Sequence, residues 1–327
     1  MKRKSKIGHT SAHNSKKRFL KMFIAFLIVL IFILVGVYYF SDKETKILDA
    51  KERDMLGGSY ITLSDGVTHY KLSGPADGQL VVLVHGGTVP MWTWDKQIKA
   101  LNDAGFRVLV YDEYGRGYSD RPKVVYNQDL YGKQLSEFLE KLGINERFDL
   151  VGLSLGGGIA VSFAAQYPEK IQKLVLISPL IKNYHVPSIT KIPMIGEFVT
   201  RTFGIKKISE RFVALFEGNQ EAEKYRKLFE KQTRYEGFQR SLLSMVRNNA
   251  LGDYTKSYKK LGETKLDILL IWGTDDSEIN QEMITEIKNY LPGLKFDAVD
   301  GVGHGIVFQK PGIVNNLLIN FLKKNKN

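Results

Sequence analysis

The chain has 327 residues, 43% of them hydrophobic, with a net charge of +12 and no cysteine. This length buries a large core in one large domain or two ordinary ones, and the missing cysteines exclude disulfides, thiolate metal sites and cysteine nucleophiles. The charge suggests nucleic-acid binding only until it is located: residues 1–21 hold eight lysines and arginines and no acid, which leaves +4 for the remainder.

That basic tail precedes nineteen residues without a charge, Met22 to Phe40. As a helix rising about 1.5 Å per residue they cross the roughly 30 Å of a bilayer's hydrocarbon. A cleavable signal peptide would carry an apolar run of about 7 to 15 residues and a small-x-small site, whereas Tyr38-Tyr39-Phe40-Ser41 offers none. An uncleaved single-pass anchor at 22–40 is expected. The tail 1–21 should stay cytoplasmic and the rest be exported, because positive charge is retained inside. The membrane is thus an expected partner through residues 22–40, and a nucleic acid is not.

Residues 41–58 are polar, end in Gly57-Gly58 and read as a stalk. A hairpin around Asp65-Gly66 follows. Leu80 to Val84 is a continuous apolar strand of the kind buried on both faces in a parallel sheet, and it runs into His85-Gly86-Gly87. A helix over 95–104, a strand over 107–111 and a glycine-rich loop over 112–122 come next, then a helix near 127–142. The strand Phe148 to Val151 leads into Gly152-Leu153-Ser154-Leu155-Gly156, and an alanine-rich helical segment follows it. Ser154 therefore sits on a strand-to-helix turn tight enough to need glycine, with its hydroxyl at the carboxyl edge of a sheet and helix N–H groups facing any negative charge that develops there. A strand at 173–178 precedes a stretch of about 179–262 with no convincing strand, read as a helical lid inserted in the domain. Strands at 266–272 and 295–299 and helices at 282–290 and 311–323 complete a mostly parallel α/β pattern.

A serine nucleophile needs a histidine base oriented by a carboxylate. Of the six histidines, His9 and His13 lie on the tail and His69 on the early hairpin. The order serine, acid, histidine leaves His185 and His304, and only His304 sits in a glycine-flanked loop after the last strand. For the acid, Asp275 and Asp276 both follow a strand at the same edge.

His85-Gly86-Gly87, the loop Tyr111 to Ser119, Gly152 to Gly157, Gly273-Thr274-Asp275-Asp276 and Gly303-His304, in this order, resemble the α/β-hydrolase fold superfamily. The resemblance covers residues 59–327. It implies an eight-stranded, mostly parallel sheet with helices on both faces and one antiparallel strand, a lid after the sixth strand, Asp276 as the acid, and an oxyanion hole from the backbone N–H groups of Gly87 and Leu155. His85 then supports its loop rather than acting as a second base. Ser154 argues against epoxide hydrolases and haloalkane dehalogenases, which use aspartate. Similarity to proline iminopeptidases is partial, and carbon–carbon bond hydrolases share the serine triad, though an exported site suits aromatic catabolism poorly. Thr88 to Asp95 and Phe238 to Leu243 look most like carboxylesterases and monoacylglycerol-type lipases. Hydrolysis of a small or acyl-chain, lipid-like ester without cofactor or metal is therefore expected, with Trp92, Trp94 and the lid residues Phe198, Phe203 and Tyr235 as candidates for lining an acyl site. Arg116 reads as a loop-bracing ion pair. A non-catalytic receptor or scaffold would be expected to have lost a triad member, and all three are present.

Overall fold

In a computed structural model of the chain, residues 8–216 and 221–323 are described, with side chains from Ser15 onward. The helix α1 spans Gly8–Phe40. Within its Ser15–Phe40 stretch an 18-residue window has a mean hydropathy of 3.0 and none of that window is buried against the protein, so the helix is long and apolar enough to cross a membrane. Lys16, Lys17, Arg18 and Lys21 extend the same helix and are exposed; the basic residues Lys2 to Lys6 lie outside the described residues.

Eight strands form one sheet: β1 (Ser59–Thr62), β2 (Val67–Ser73), β3 (Leu80–Val84), β4 (Arg107–Tyr111), β5 (Phe148–Leu153), β6 (Ile171–Ile177), β7 (Asp267–Gly273) and β8 (Lys295–Val299). They are ordered β1-β2-β4-β3-β5-β6-β7-β8, and β2 alone runs against its neighbours. Strand β3 is apolar at every position because both of its faces are covered, and its neighbour β5 departs from this only at the buried Asp149 and at Gly152. Side chains alternate across a strand, so Leu80, Val82 and Val84 join Leu150 and Leu174 in one core, while Val81 and Leu83 join Val151 and Val175 in another. The helices α4 (Gln128–Lys141), α5 (Leu155–Gln166) and α11 (Gln281–Tyr290) close the first face; α3 (Asp95–Asp103), α12 (Ile306–Gln309) and α13 (Pro311–Lys323) close the second.

Between β6 and β7 the described residues form helices: a 3-10 turn at Ser188–Lys191, α6 (Ile195–Val199), a π-helical turn at Thr200–Gly204, α7 (Ile205–Ala214), α8 (Ala222–Gln232), α9 (Phe238–Arg247) and α10 (Thr255–Gly262). The last of these differs from a lid element. Tyr258 and Leu261 of α10 are buried in the first core, and Ser257 Oγ lies 2.9 Å from Ser162 Oγ of α5, so α10 belongs to the layer over the sheet.

The polar segment after α1 is folded onto the domain. It contains a helix, α2 (Ala50–Leu56), capped by the Asp49 side chain. The Glu44 carboxylate accepts from the Gly237 and Gln239 N–H groups at the start of α9, where the unsatisfied donors and positive dipole end of a helix favour an anion. Lys46 makes backbone hydrogen bonds on both sides of Tyr235, Asp42 pairs with Arg201 at 2.8 Å, and Arg53 pairs with Asp120.

Two glycines set how closely β5 and α5 can approach. A Cβ on Gly156 would lie 2.4 Å from the backbone oxygens of both His85 and Val84, and one on Gly152 would lie 2.3 Å from the Gly156 oxygen. These are backbone atoms and cannot rotate away. Gly156→Ala is expected to cost about 2–3 kcal/mol of stability through overpacking, whereas Gly132→Ala, in open space on α4, should be neutral or stabilising by up to about 1 kcal/mol. Chemical denaturation of the two variants against the parent chain measures the difference.

Candidate active site

The turn between β5 and α5 holds Ser154 at φ 54° and ψ −118°, a left-handed backbone that costs a non-glycine residue free energy and that recurs at functional sites. The surroundings fix it there. Ser154 N–H donates to the Ile177 carbonyl, and its own carbonyl accepts from Gly157 and Leu180 N–H.

Gly86 and Gly87 pass in front of this turn. A methyl group on Gly86 would stand 3.4 Å from Ser154 Cβ and 3.9 Å from its Oγ, and one on Gly87 would stand 3.3 Å from Leu155 Cδ2. Gly87 therefore passes against the Leu155 side chain, next to the serine. Leu155 is the first residue of α5, so its N–H has no partner within the helix. The loop bearing Gly87 is braced from beneath. His85 is fully buried; its Nε2 accepts from Glu113 N–H at 2.9 Å, so Nδ1 carries the hydrogen and donates to the Gly86 carbonyl at 2.7 Å. Burial pushes its pKa down to about 4, which keeps the ring neutral and the tautomer fixed. Arg116, also fully buried, donates to the Gly87 and Gly115 carbonyls and to Ser241 Oγ. It braces the loop through carbonyl acceptors, where the sequence suggested an ion pair.

Asp276 and His304 follow β7 and β8 and stand at the carboxyl edge where Ser154 ends β5. His304 Nδ1 lies 2.8 Å from Asp276 Oδ2. The other carboxylate oxygen, Oδ1, accepts from the Glu278 and Ile279 N–H groups, each at 2.9 Å. Burial opposes the charge on Asp276, but the His304 hydrogen bond and charge and the Ile279 N–H outweigh it and hold the carboxyl below the usual aspartate range. Asp275 is exposed. An ionised Asp276 makes Nδ1 of His304 the donor and leaves Nε2 free to accept a proton. Burial also opposes the imidazolium, yet hydrogen bonding to Asp276 and the charges of Glu278 and Asp276 prevail over it and over Arg211, so the His304 pKa lies above that of an ordinary histidine.

Glu278 is a part of this site that sequence reasoning missed. Its Oε2 lies 3.7 Å from His304 Nε2 and accepts from Tyr184 OH at 2.9 Å, while Oε1 pairs with Arg211 of α7. A glutamate two positions past Asp276 in a polar turn carries no periodic or motif signal, and Tyr184 and Arg211 reach it from over sixty residues away in the chain. Leu215, at the end of α7, packs directly over Gly305. The helical segment between β6 and β7 thus meets the histidine loop through both charge and packing.

The remaining candidates are spread out. Trp92 lines a cleft of 260 Å³ with His69, Lys71, Asp112, Tyr118 and Gln232, and none of Ser154, Asp276 and His304 lines it. Trp94 is fully buried in the second core. Tyr235 is fully buried with its hydroxyl on Glu52, Phe198 stacks on Tyr38, and Phe203 is exposed. These positions are filled by packing, a hydrogen bond or solvent rather than gathered around Ser154. His185 is exposed, and His69 is buried against Asp112 at 2.7 Å. Among the described residues no three His, Asp or Glu side chains gather as a metal-ligand set.

A family model described as alpha/beta hydrolase fold matches residues 79–243. The chain is 26% identical over 284 residues to the AB hydrolase superfamily protein YfhM of Bacillus subtilis, covering 80% of the chain and 96% of that protein. It is 27% identical to 2-hydroxy-6-oxo-6-phenylhexa-2,4-dienoate hydrolase of Comamonas testosteroni (80% and 93% covered) and 25% identical to carboxylesterase YbfK of Bacillus subtilis (80% and 86% covered). Among solved structures, the enol-lactonase of Burkholderia xenovorans LB400 superposes with a TM-score of 0.69 at 19% identity, over 81% of this chain and all of that one.

The two neighbouring aspartates make a direct test of this geometry. Asp276→Asn removes the charge and acceptor at Nδ1 and should lower the His304 pKa, whereas Asp275→Asn should leave it unchanged; NMR titration of the His304 imidazole in each variant reads the shift.

Proposed function

Because the chain belongs to the α/β-hydrolase fold family and is therefore placed among hydrolases, we propose that it is a serine hydrolase that cleaves carboxylic esters of small or acyl-chain substrates through an acyl-enzyme. The observation that carries this reading is the 2.8 Å contact between His304 and Asp276 at the sheet edge that also holds the strained Ser154. His304 Nε2 takes the proton from Ser154 as the hydroxyl attacks the ester carbonyl, and Asp276 holds the ring and stabilises its positive form. The N–H groups of Gly87 and Leu155 receive the developing oxyanion. The alcohol leaves with the proton from His304, and water, activated by the same base, releases the acid.

Carbon–carbon bond hydrolysis is a second reading, favoured by the 27% identity to the Comamonas enzyme. Ester cleavage is preferred because a carboxylesterase is similar over the same 80% of the chain and because α1 suits a catalyst held at a lipid surface. On this reading α1 is the anchor, residues 1–21 are cytoplasmic and the hydrolase domain is outside.

Two measurements test the chemistry. Membranes carrying the full chain should label with a fluorophosphonate, and Ser154→Ala should abolish the label and lower ester hydrolysis by about 10³-fold or more. Equal labelling of the two proteins sinks the nucleophile assignment, and turnover of a vinylogous diketone in preference to acyl esters would favour the second reading. The base must be neutral to act, so kcat/KM should rise with pH through a pKa above about 6.5. Glu278→Gln removes a negative charge facing Nε2 and should move that limb to lower pH, seen in the pH–rate profile on an acyl ester.

A further inference from the structure

We propose that the lid segment 188–207 is a second membrane-contact surface, seated at the boundary between headgroups and acyl chains of the leaflet from which α1 emerges. Large apolar side chains are seldom exposed in clusters on a soluble surface. Of the eleven that are exposed after Phe40 among the described residues, five fall in one short stretch: Ile189, Ile192, Met194, Ile195 and Phe203, with Met194 84% and Phe203 63% exposed.

This stretch lies where the helix ends. Tyr38 stacks on Phe198 of α6 with ring centroids 6.4 Å apart, and Arg201 of the π-helical turn sits 4.1 Å over the Tyr38 ring. Tyrosines and arginines at the end of a spanning helix occupy the headgroup level. Side chains in contact with Tyr38 share its depth, and the apolar residues beside them face the same lipid.

The charges agree with a lipid surface. Lys191 and Lys207 are exposed, as is the Lys206–Glu210 pair at 3.7 Å, while the other acids nearby are occupied: Glu197 pairs with Arg247 at 2.6 Å and Asp42 with Arg201. An apolar face rimmed with lysine is the pattern of an interfacial segment on anionic lipid. The surface is also preformed. Arg247 donates to the Thr190 and Ile192 carbonyls from within, and Gly196 packs so closely on the Thr190 carbonyl that a Cβ would lie 2.3 Å from it. Met194 is held at φ 65°, a strained conformation for a side chain that projects into solvent. A leaflet at this position supplies the burial that the strained methionine lacks in water.

The proposal rests on reading α1 as a membrane span, and the test separates the two. The chain has no cysteine, so single cysteines placed by Met194→Cys, Leu30→Cys and Asp77→Cys in the full chain can each carry an environment-sensitive fluorophore. Each labelled protein is reconstituted in phosphatidylcholine and phosphatidylglycerol vesicles with nitroxide lipids whose spin label is either near the headgroup or deep in the acyl chain. The probe at 194 should be quenched several-fold more by the shallow label than the probe at the exposed Asp77 position, with blue-shifted emission, while the probe at 30 responds to the deep label. A probe at 194 that behaves like the one at 77, with the probe at 30 quenched, overturns the lid contact and leaves the anchor standing. An unquenched probe at 30 overturns the anchor, and the lid contact with it.

Discussion

The close approach of β5 and α5 at Ser154 is the constraint on which the rest of this structure depends. Gly152 and Gly156 leave no space for a Cβ, because one built on either would fall 2.3 to 2.4 Å from a backbone oxygen. That contact brings the first turn of α5 against the end of β3 and against the His85-Gly86-Gly87 loop. The same packing that strains Ser154 therefore brings Gly87 against Leu155 beside it. The energy for holding a serine at φ 54° comes from two apolar cores, one on each face of the sheet, between which β3 to β7 are buried at nearly every position.

Burial treats the histidines near this turn in opposite ways. His85 has no carboxylate in hydrogen-bonding contact; it exchanges bonds with backbone groups, and desolvation leaves it neutral. His304 has Asp276 on one nitrogen and Glu278 near the other, and the pair of charges reverses the effect of burial. The difference lies first in partners, and His304 is also the shallower of the two, with 20% of its side chain exposed against none for His85. Glu278 also links His304 to the segment between β6 and β7, since Tyr184 and Arg211 approach it from there, so the affinity of His304 for a proton is tied to where that segment sits.

Much of the fold was legible in the sequence because its signals are local. Leu80 to Val84 and Ile268 to Trp272 are apolar without alternation, which only a strand covered on both faces explains, and the G-x-S-x-G turn is marked by glycines whose need is steric. The eight strands and their order of helices follow from such runs. The site was legible in part: Asp275 and Asp276 are equivalent by position, and it is tertiary placement that exposes one and puts the other on His304. Trp94 and Tyr235 were expected around an acyl site on aromatic character alone, but an aromatic ring packs equally well in a core or against a strap, and these two do so. Glu278, with partners at positions 184 and 211, could not be found by any spacing rule. Nor could α10 be separated from the lid, since its burial on α5 depends on a neighbour a hundred residues earlier.

Residues 41–58 show how composition can mislead about independence. A polar run ending in two glycines has the look of a hinge, yet Glu44 supplies the missing acceptor at the start of α9, Lys46 adds a backbone bridge at Tyr235, and Arg53 reaches Asp120. The glycine pair is therefore not a seam. A chain begun at Ser59 would leave the α9 amides, the Tyr235 hydroxyl and one carboxylate oxygen of Asp120 to water, so the unit that keeps these partners starts at Asp42, two residues beyond the end of α1.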